Sequence, residues 1–173
     1  MRLISAAVPE GPGTWADFGA GDGTFTRALA ARLGAGARIY AVDRNARALR
    51  TLQRGMAHTD ARIRPVPAHL ERAFDLMGAE LGTLDGFLLA NTLHFIRDQA
   101  AVLARLARWL RPGGVAVLIE YDRRAPNRWV PYPIDAEDLL PLFEAVSLTS
   151  PEVVARADSA FGGEIYVAMG RRR

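Results

Sequence analysis

Residues 14–24 read TWADFGAGDGT, an apolar run that breaks into three glycines spaced two apart and then enters an amphipathic stretch. The position of the glycines decides their meaning. They leave a predicted strand, 14–18, and open a predicted helix, 24–33, whose Phe25, Leu29 and Leu33 share one face at spacing four. Gly19 and Gly21 allow positive φ and let a ligand approach the backbone. Asp17 sets a carboxylate beside the turn, which favours a cationic amino group and disfavours a diphosphate. The spacing agrees. Dinucleotide-binding turns read G-x-G-x-x-G, whereas here Thr24 takes the last of those positions and the run is G-x-G-x-G. Taken alone, the same turn also suits a plain strand-to-helix connection.

Outward from this turn, short apolar runs alternate with amphipathic stretches. A second strand, 38–42, ends at Asp43, and a helix over 46–56 turns Leu49 and Leu52 inward. A short third strand, 62–66, is closed by two prolines, and the spacing beyond it predicts a weak helix over 70–81. The runs 84–90 and 115–121 are almost wholly apolar, the pattern of parallel strands covered on both faces. Between them lie a helix over 97–110 and a tight turn, Arg111-Pro112-Gly113-Gly114. A Pro- and aromatic-rich loop, 122–133, is followed by a helix over 135–146 that Asp135 is placed to cap. Strands near 152–158 and 164–169, joined by SAFGG, form a closing hairpin. This order predicts an α/β fold: a Rossmann-like, seven-stranded, mostly parallel sheet with helices on both faces and a C-terminal antiparallel hairpin. In such a sheet ligands sit beyond the carboxyl ends of the strands, at the switch point. The loops after the first, second, fourth and fifth strands then surround one pocket.

The bulk numbers narrow the function. The 173 residues, half of them hydrophobic and a quarter charged, fit one domain over 1–173, with an extension over 1–13 and a candidate substrate lid over 122–134. No apolar run nears the ~18 residues of a membrane span, and MRLISAAVPEGPG at 1–13 lacks the features of a signal peptide. A cytoplasmic location with no membrane partner is expected. The absence of cysteine excludes disulfides, thiolate metal sites and thiol nucleophiles, and His58, His69 and His94 lack close metal-ligand spacing, so no metal is expected. The net charge of +3 comes from arginines alone, scattered except at 171–173, which argues against a nucleic-acid partner.

Three further segments bear on chemistry. Asp43 closes IYAVD at 39–43, where its carboxylate can accept both hydroxyls of a ribose or cap the next helix. LDGFLLANTLHF at 84–95 brings Asn91 and His94 to the same sheet edge, and LRPGG at 110–114 precedes the fifth strand. Taken in order, DFGAGDG, YAVDRN, LDGFLLANTLHF and LRPGG resemble the class I S-adenosylmethionine-dependent methyltransferases. FGGEIYVAMGR at 161–171 resembles that family's closing hairpin.

The resemblance implies S-adenosylmethionine as cofactor and methyl transfer to a small-molecule acceptor. It sets Asp17, Gly19, Ala20 and Gly21 beside the methionine part, Asp43 on the ribose, Arg44 near the adenine, and Ala90 and Asn91 on the sulfonium side. The family often has an acid after the third strand for the adenine amino group. Here VPAHLE at 66–71 offers none at that place, and backbone groups of Ala68 or His69 are expected instead. The Asn-Pro-Pro-Tyr segment associated with base or amide nitrogen acceptors is also missing, which favours a small acceptor. Few residues precede the first strand, so a pocket without a helical cap is expected. His94 is the candidate general base, with packing beside Leu93 and Phe95 as the other reading. Tyr121, Arg123, Trp129 and Tyr132 are candidate acceptor contacts. A binding or partner subunit without catalysis is the alternative function.

Overall fold

Trp15, Ala16, Asp17 and Phe18 are all buried, so β1 (Thr14–Phe18) runs through the middle of the molecule. The computed structural model describes residues 2–56 and 58–173; Met1 of the extension and Ala57 lie outside the described residues. Around β1 the chain builds a seven-stranded sheet in the order β3-β2-β1-β4-β5-β7-β6. The strands β2 (Arg38–Asp43), β3 (Arg62–Pro67), β4 (Leu84–Ala90) and β5 (Leu110–Asp122) run parallel to β1. Two strands complete the sheet: β7 (Glu164–Arg171) pairs antiparallel to β5, and β6 (Glu152–Asp158) pairs antiparallel to β7. The chain steps to one side of β1 for β2 and β3 and to the other for β4 and β5. The switch point therefore opens between β1 and β4, at their carboxyl ends.

Alternation along the strands divides the core into two layers. On one face Phe18, Phe87, Leu89 and Leu118 pack with Val102, Leu103 and Leu106 of α3 (Gln99–Ala107) and with Leu139 and Phe143 of α4 (Leu139–Ala145). On the other, Trp15, Ile39, Leu88 and Val117 pack with Leu29 and Leu33 of α1 (Thr24–Leu33) and with Leu49 and Leu52 of α2 (Ala46–Gly55). Burying each such side chain contributes roughly 1.5–3 kcal/mol, enough to explain why the parallel strands are apolar on both faces. Both prolines of β3 are tolerated because β3 is an edge strand. Ile4, Ala7 and Val8 of the extension join the second layer. Arg32, in the last turn of α1, ties this segment down by donating to the carbonyls of Val8 (2.9 Å) and Ser5 (3.0 Å) and pairing with Glu10. The extension lies at the amino ends of the strands, away from the switch point.

Three expectations need correction. Residues 70–81 form no helix. Partly buried Phe74 packs edge-on to Phe18 (6.0 Å) and stacked on Trp109 (6.3 Å), and Leu76 is fully buried. Burial at spacing two is an extended pattern, and Gly78 at φ 97° ends any helical continuation. Second, 110–114 belongs to β5 rather than preceding it. The register passes from Leu84↔Leu110 to Gly86↔Val115, so the Arg-Pro-Gly-Gly segment is a bulge within the strand. Third, the helix expected over 135–146 splits into a 3-10 turn, Ala136–Asp138, and α4, and Asp135 makes no side-chain cap. Its carboxylate instead accepts the Arg123 amide at 2.8 Å, across the base of the preceding loop.

Gly86 shows how closely β4 and β1 are fitted. A Cβ there would lie 2.4 Å from the Trp15 indole, which is itself buried and has no room to withdraw. Gly86→Ala is expected to cost roughly 1–3 kcal/mol by overpacking. Denaturant unfolding followed by tryptophan fluorescence checks this, and equal midpoints for the two proteins would refute the fit described.

Candidate functional site

The turn after β1 is stitched to the end of β2: the Gly19 and Ala20 amides both donate to the Val42 carbonyl, at 2.8 and 3.0 Å. Gly19 sits at φ 86°, and a Cβ on it would lie 2.2 Å from the Thr92 hydroxyl, so only glycine fits between β1 and the exit of β4. Gly21, at φ 53°, differs: a Cβ there would meet nothing within 4 Å, because the position faces open space. The Asp43 carboxylate joins the two strand ends. Its Oδ2 accepts the Gly21 amide at 2.8 Å and its Oδ1 the Asn45 amide at 2.7 Å. Helix capping falls to Asn45, whose side chain accepts from the Arg47 and Ala48 amides at 3.1 Å each. That leaves the outer lone pairs of Asp43 uncommitted to α2.

These groups border a crevice of about 330 Å³ at the carboxyl edge of the sheet. Gly19 and Gly21 form its floor, Asp43 and Arg44 one wall, Ala68, His69 and Glu71 a second, and Asn91, Thr92 and Phe95 a third. Asn91 holds a left-handed φ of 49°, and its Oδ1 is buried without a hydrogen-bond partner among the described residues. An orphaned acceptor of this kind on a cavity wall suits a donor supplied from outside. The structure also limits what the second wall can offer. The Ala68 amide already donates to the Asp43 carbonyl and the His69 carbonyl already accepts from Arg72, both at 3.0 Å. Glu71 brings a carboxylate to the same wall. Sequence reasoning, which seeks an acid directly after the strand, misses it.

Several candidates lie elsewhere. Ala20 and Ala90 are buried and do not line the crevice. Asp17 is also buried behind the turn, where it accepts the Thr26 hydroxyl at 2.6 Å rather than facing a ligand. Burial pushes its carboxyl up to about 7; the Thr26 hydrogen bond pulls it down and the nearby Asp43 charge raises it further.

His94 sits in the turn that follows β4 and is 2 % exposed, with Nδ1 2.5 Å from Glu120 Oε2. Its ring lies against Phe95 (4.3 Å) and Tyr121 (5.8 Å). In sequence Glu120 reads as a strand end at the pocket edge, with nothing that pairs it to His94. The signal for its role is a carboxylate directly after an unbroken apolar run.

The loop between Asp122 and Ala136 is fastened at its base, where the Ala136 amide donates to Asp122 (3.0 Å) opposite the Arg123–Asp135 bond. Further along, the Tyr132 amide donates to the His94 carbonyl at 2.9 Å and Tyr166 Oη to that of Ile134 at 3.0 Å. Tyr121 is nearly buried beneath the Arg124 guanidinium, 4.5 Å from its ring. Trp129 and Tyr132 are exposed, at 64 % and 41 %. Arg123 borders an outer hollow with Asp122, Arg156 and Glu164 and is not brought to the crevice. Among the described residues no group of His, Asp and Glu is placed to hold a metal ion, and no helix is long and apolar enough to cross a membrane.

Residues 16–116, which run from β1 into β5 and include every residue lining this crevice, match the family model described as a methyltransferase domain. The chain belongs to that methyltransferase family. Among curated proteins it is 32 % identical over 133 residues to the biotin biosynthesis bifunctional protein BioCD of Bordetella avium, covering 74 % of this chain and 26 % of that one. It is 27 % identical over 127 residues to the ubiquinone biosynthesis O-methyltransferase of Thiobacillus denitrificans, covering 73 % and 52 %. The chain thus spans about a quarter and about half the length of these two relatives. Among solved structures it shares its fold with the 1,6-didemethyltoxoflavin-N1-methyltransferase of Burkholderia thailandensis, crystallised with 1,6-didemethyltoxoflavin and S-adenosylhomocysteine. The TM-score is 0.75, the identity 22 %, and the coverage 93 % of this chain and 71 % of that one.

The buried acid of this methyltransferase-family turn has a measurable signature. Asp17 has a raised folded-state value, about 7 against an ordinary 3.8, so the native protein holds the proton more tightly than the unfolded chain. Its contribution to stability is full below about pH 4, falls as the pH rises towards 7, and then levels off. The total is on the order of 4 kcal/mol at most. Asp17→Asn keeps an acceptor for Thr26 and removes the titration. Relative to the wild type, the variant should gain stability between pH 5 and pH 8 in urea unfolding. A wild-type-minus-variant difference that stays constant over that range would count against the buried, proton-holding carboxyl.

Proposed function

We propose that this chain binds S-adenosylmethionine in the crevice and transfers its methyl group to a small-molecule acceptor. The observation that carries the reading is the Asp43 carboxylate, held by the Gly21 and Asn45 amides with outer lone pairs to spare, beside the open face of Gly21. A carboxylate in this state suits a pair of vicinal hydroxyls. The unpartnered Asn91 Oδ1 suits the donor's ammonium group, and Arg44, His69 and Glu71 border the space for its base. Such a donor supplies an already activated methyl on a sulfonium, so the protein's main task is alignment, which can contribute ~7–11 kcal/mol.

In this reading half-exposed Phe95 of the crevice wall begins the acceptor side, and Tyr121, Trp129 and Tyr132, which do not line the crevice itself, extend it, with the loop over 122–134 as a fastened lid within the single domain. In this reading His94 is the general base. Two of the three named proteins, the ubiquinone biosynthesis O-methyltransferase and the 1,6-didemethyltoxoflavin-N1-methyltransferase, support a small acceptor.

Two measurements test the reading. Asp43→Ala should weaken S-adenosylmethionine binding by ~1–3 kcal/mol, roughly 5- to 150-fold in Kd by calorimetry. An unchanged Kd would remove Asp43 from the site. His94→Ala should leave that Kd in place and lower methyl incorporation from labelled donor into a small-metabolite extract by ~10²- to 10⁴-fold. Equal incorporation by variant and wild type would remove His94 from the chemistry.

A further inference from the structure

The segment that precedes β1 takes no part in the crevice, yet it borders a second cavity. Residues 5–13 line a space of about 360 Å³ at the amino ends of the strands, together with Trp15, Asp85, Arg111 and Arg171. A volume of this size suits a small organic molecule rather than a single ion. The length of β1 separates the two spaces: Trp15 lies near its first residue, and Gly19 follows its last. A ligand here would be distinct from methyl donor and acceptor alike.

Trp15 is 1 % exposed. One edge of its indole is fixed against Gly86, where a Cβ would come within 2.4 to 2.7 Å of three carbons of the six-membered ring. The other edge carries Nε1 and faces Gly13, where a Cβ would lie 3.2 Å from that nitrogen. The φ of Gly13 is not in the left-handed region, so the backbone does not demand glycine there. What glycine provides is space in front of the indole N–H. Nε1 donates to no group among the described residues. Nor is it one of the two side-chain atoms sealed in without a partner, Tyr40 Oη and Asn91 Oδ1, so it keeps an opening, and Trp15 lines this cavity. A nearly buried N–H without an acceptor is unfavourable and suits one brought from outside.

The charges around the cavity do not cancel. Arg32 pairs with Glu10, and Arg111 Nε with Asp85 Oδ1 at 2.8 Å. The other Asp85 oxygen accepts the Thr14 amide at 2.8 Å. Arg171 has no carboxylate among the described residues, and its guanidinium bonds only the Gly113 carbonyl, at 3.2 Å. Three guanidinium groups against two carboxylates leave one positive charge on the wall, and Val8, Leu33 and Met169 supply apolar surface beside it.

We propose that this cavity binds a small organic carboxylate, its oxygens accepting from Arg171 and from the Trp15 indole N–H, its apolar body against Val8, Leu33 and Met169. The guanidinium fork matches a carboxylate, and the indole is a donor only.

The test follows the indole N–H signals of ¹⁵N-labelled protein during titration with benzoate. Trp15→Phe and Trp129→Phe assign them among Trp15, Trp109 and Trp129. The expected result is a saturable shift of the Trp15 signal with a Kd on the order of 1 mM or tighter, while the Gly21 amide of the crevice stays in place. Benzamide, of the same shape without the charge, should bind ~10-fold more weakly or worse, as should benzoate to Arg171→Gln. Gly13→Ala, which fills the space before Nε1, should abolish the shift in a protein that keeps its near-ultraviolet circular dichroism. A Trp15 signal unmoved at ~10 mM benzoate would overturn the proposal, as would a response confined to the Gly21 amide. Equal binding of benzamide or of inorganic phosphate would overturn the carboxylate class. Should either variant not fold, the three probes on the wild-type protein decide.

Discussion

The Asp43 carboxylate is the interaction on which the crevice depends. Parallel strands bring β1 and β2 side by side, but nothing in strand pairing fixes how their carboxyl-terminal loops stand relative to one another. Asp43 does so by accepting one backbone amide from each loop, Gly21 and Asn45. The Val42 carbonyl adds two more bonds to the same junction. An acceptor at a strand end, two glycines with the freedom to turn towards it, and a separate residue to cap the next helix make a rigid concave edge. The rest of the site is placed against that edge.

Much of this architecture is legible in the amino-acid sequence, and the reasons are physical. Strands 84–90 and 115–121 are apolar throughout because helices cover both faces of the sheet, and that burial leaves a plain mark in composition. The Gly turn is legible because left-handed backbone and a vacant Cβ position both demand glycine. Gly19, Gly21, Asp43, Arg44, Ala68, His69 and Asn91, all recognisable from their motifs, stand on the crevice wall. Residues 70–81 mislead because Leu70, Phe74, Met77 and Leu81 fall at helical spacing. Only the packing of Phe74 on Trp109 and the burial of Leu76 show that the chain is extended there and that Met77 and Leu81 face outward.

Two site features are hidden for a different reason: they join residues far apart in sequence. Thr92 is what forces glycine at position 19, and the two are 73 residues apart. Glu120 looks in sequence like the ordinary polar end of a strand. Its significance comes from β5 lying between β4 and β7, so that even the last residues of the strand are covered and its carboxylate must find donors in the exit of β4. Asp17 is the converse case. Its place beside the turn is legible, but its side chain points into the layer beneath α1, where it bonds Thr26 instead of facing the crevice.

The path of the two chain ends has a practical bearing. The segment from Leu3 to Gly13 is secured to α1 by Arg32, and the last residues of β7 pair with Val115 at the start of the apolar part of β5. Arg172 is anchored there too, on the carbonyls of Arg108 and Leu110. The described residues nearest the two ends therefore lie at the rim opposite the crevice. A surface linker or fused fluorescent partner joined at either end would leave the mouth of the crevice pointing into bulk solution.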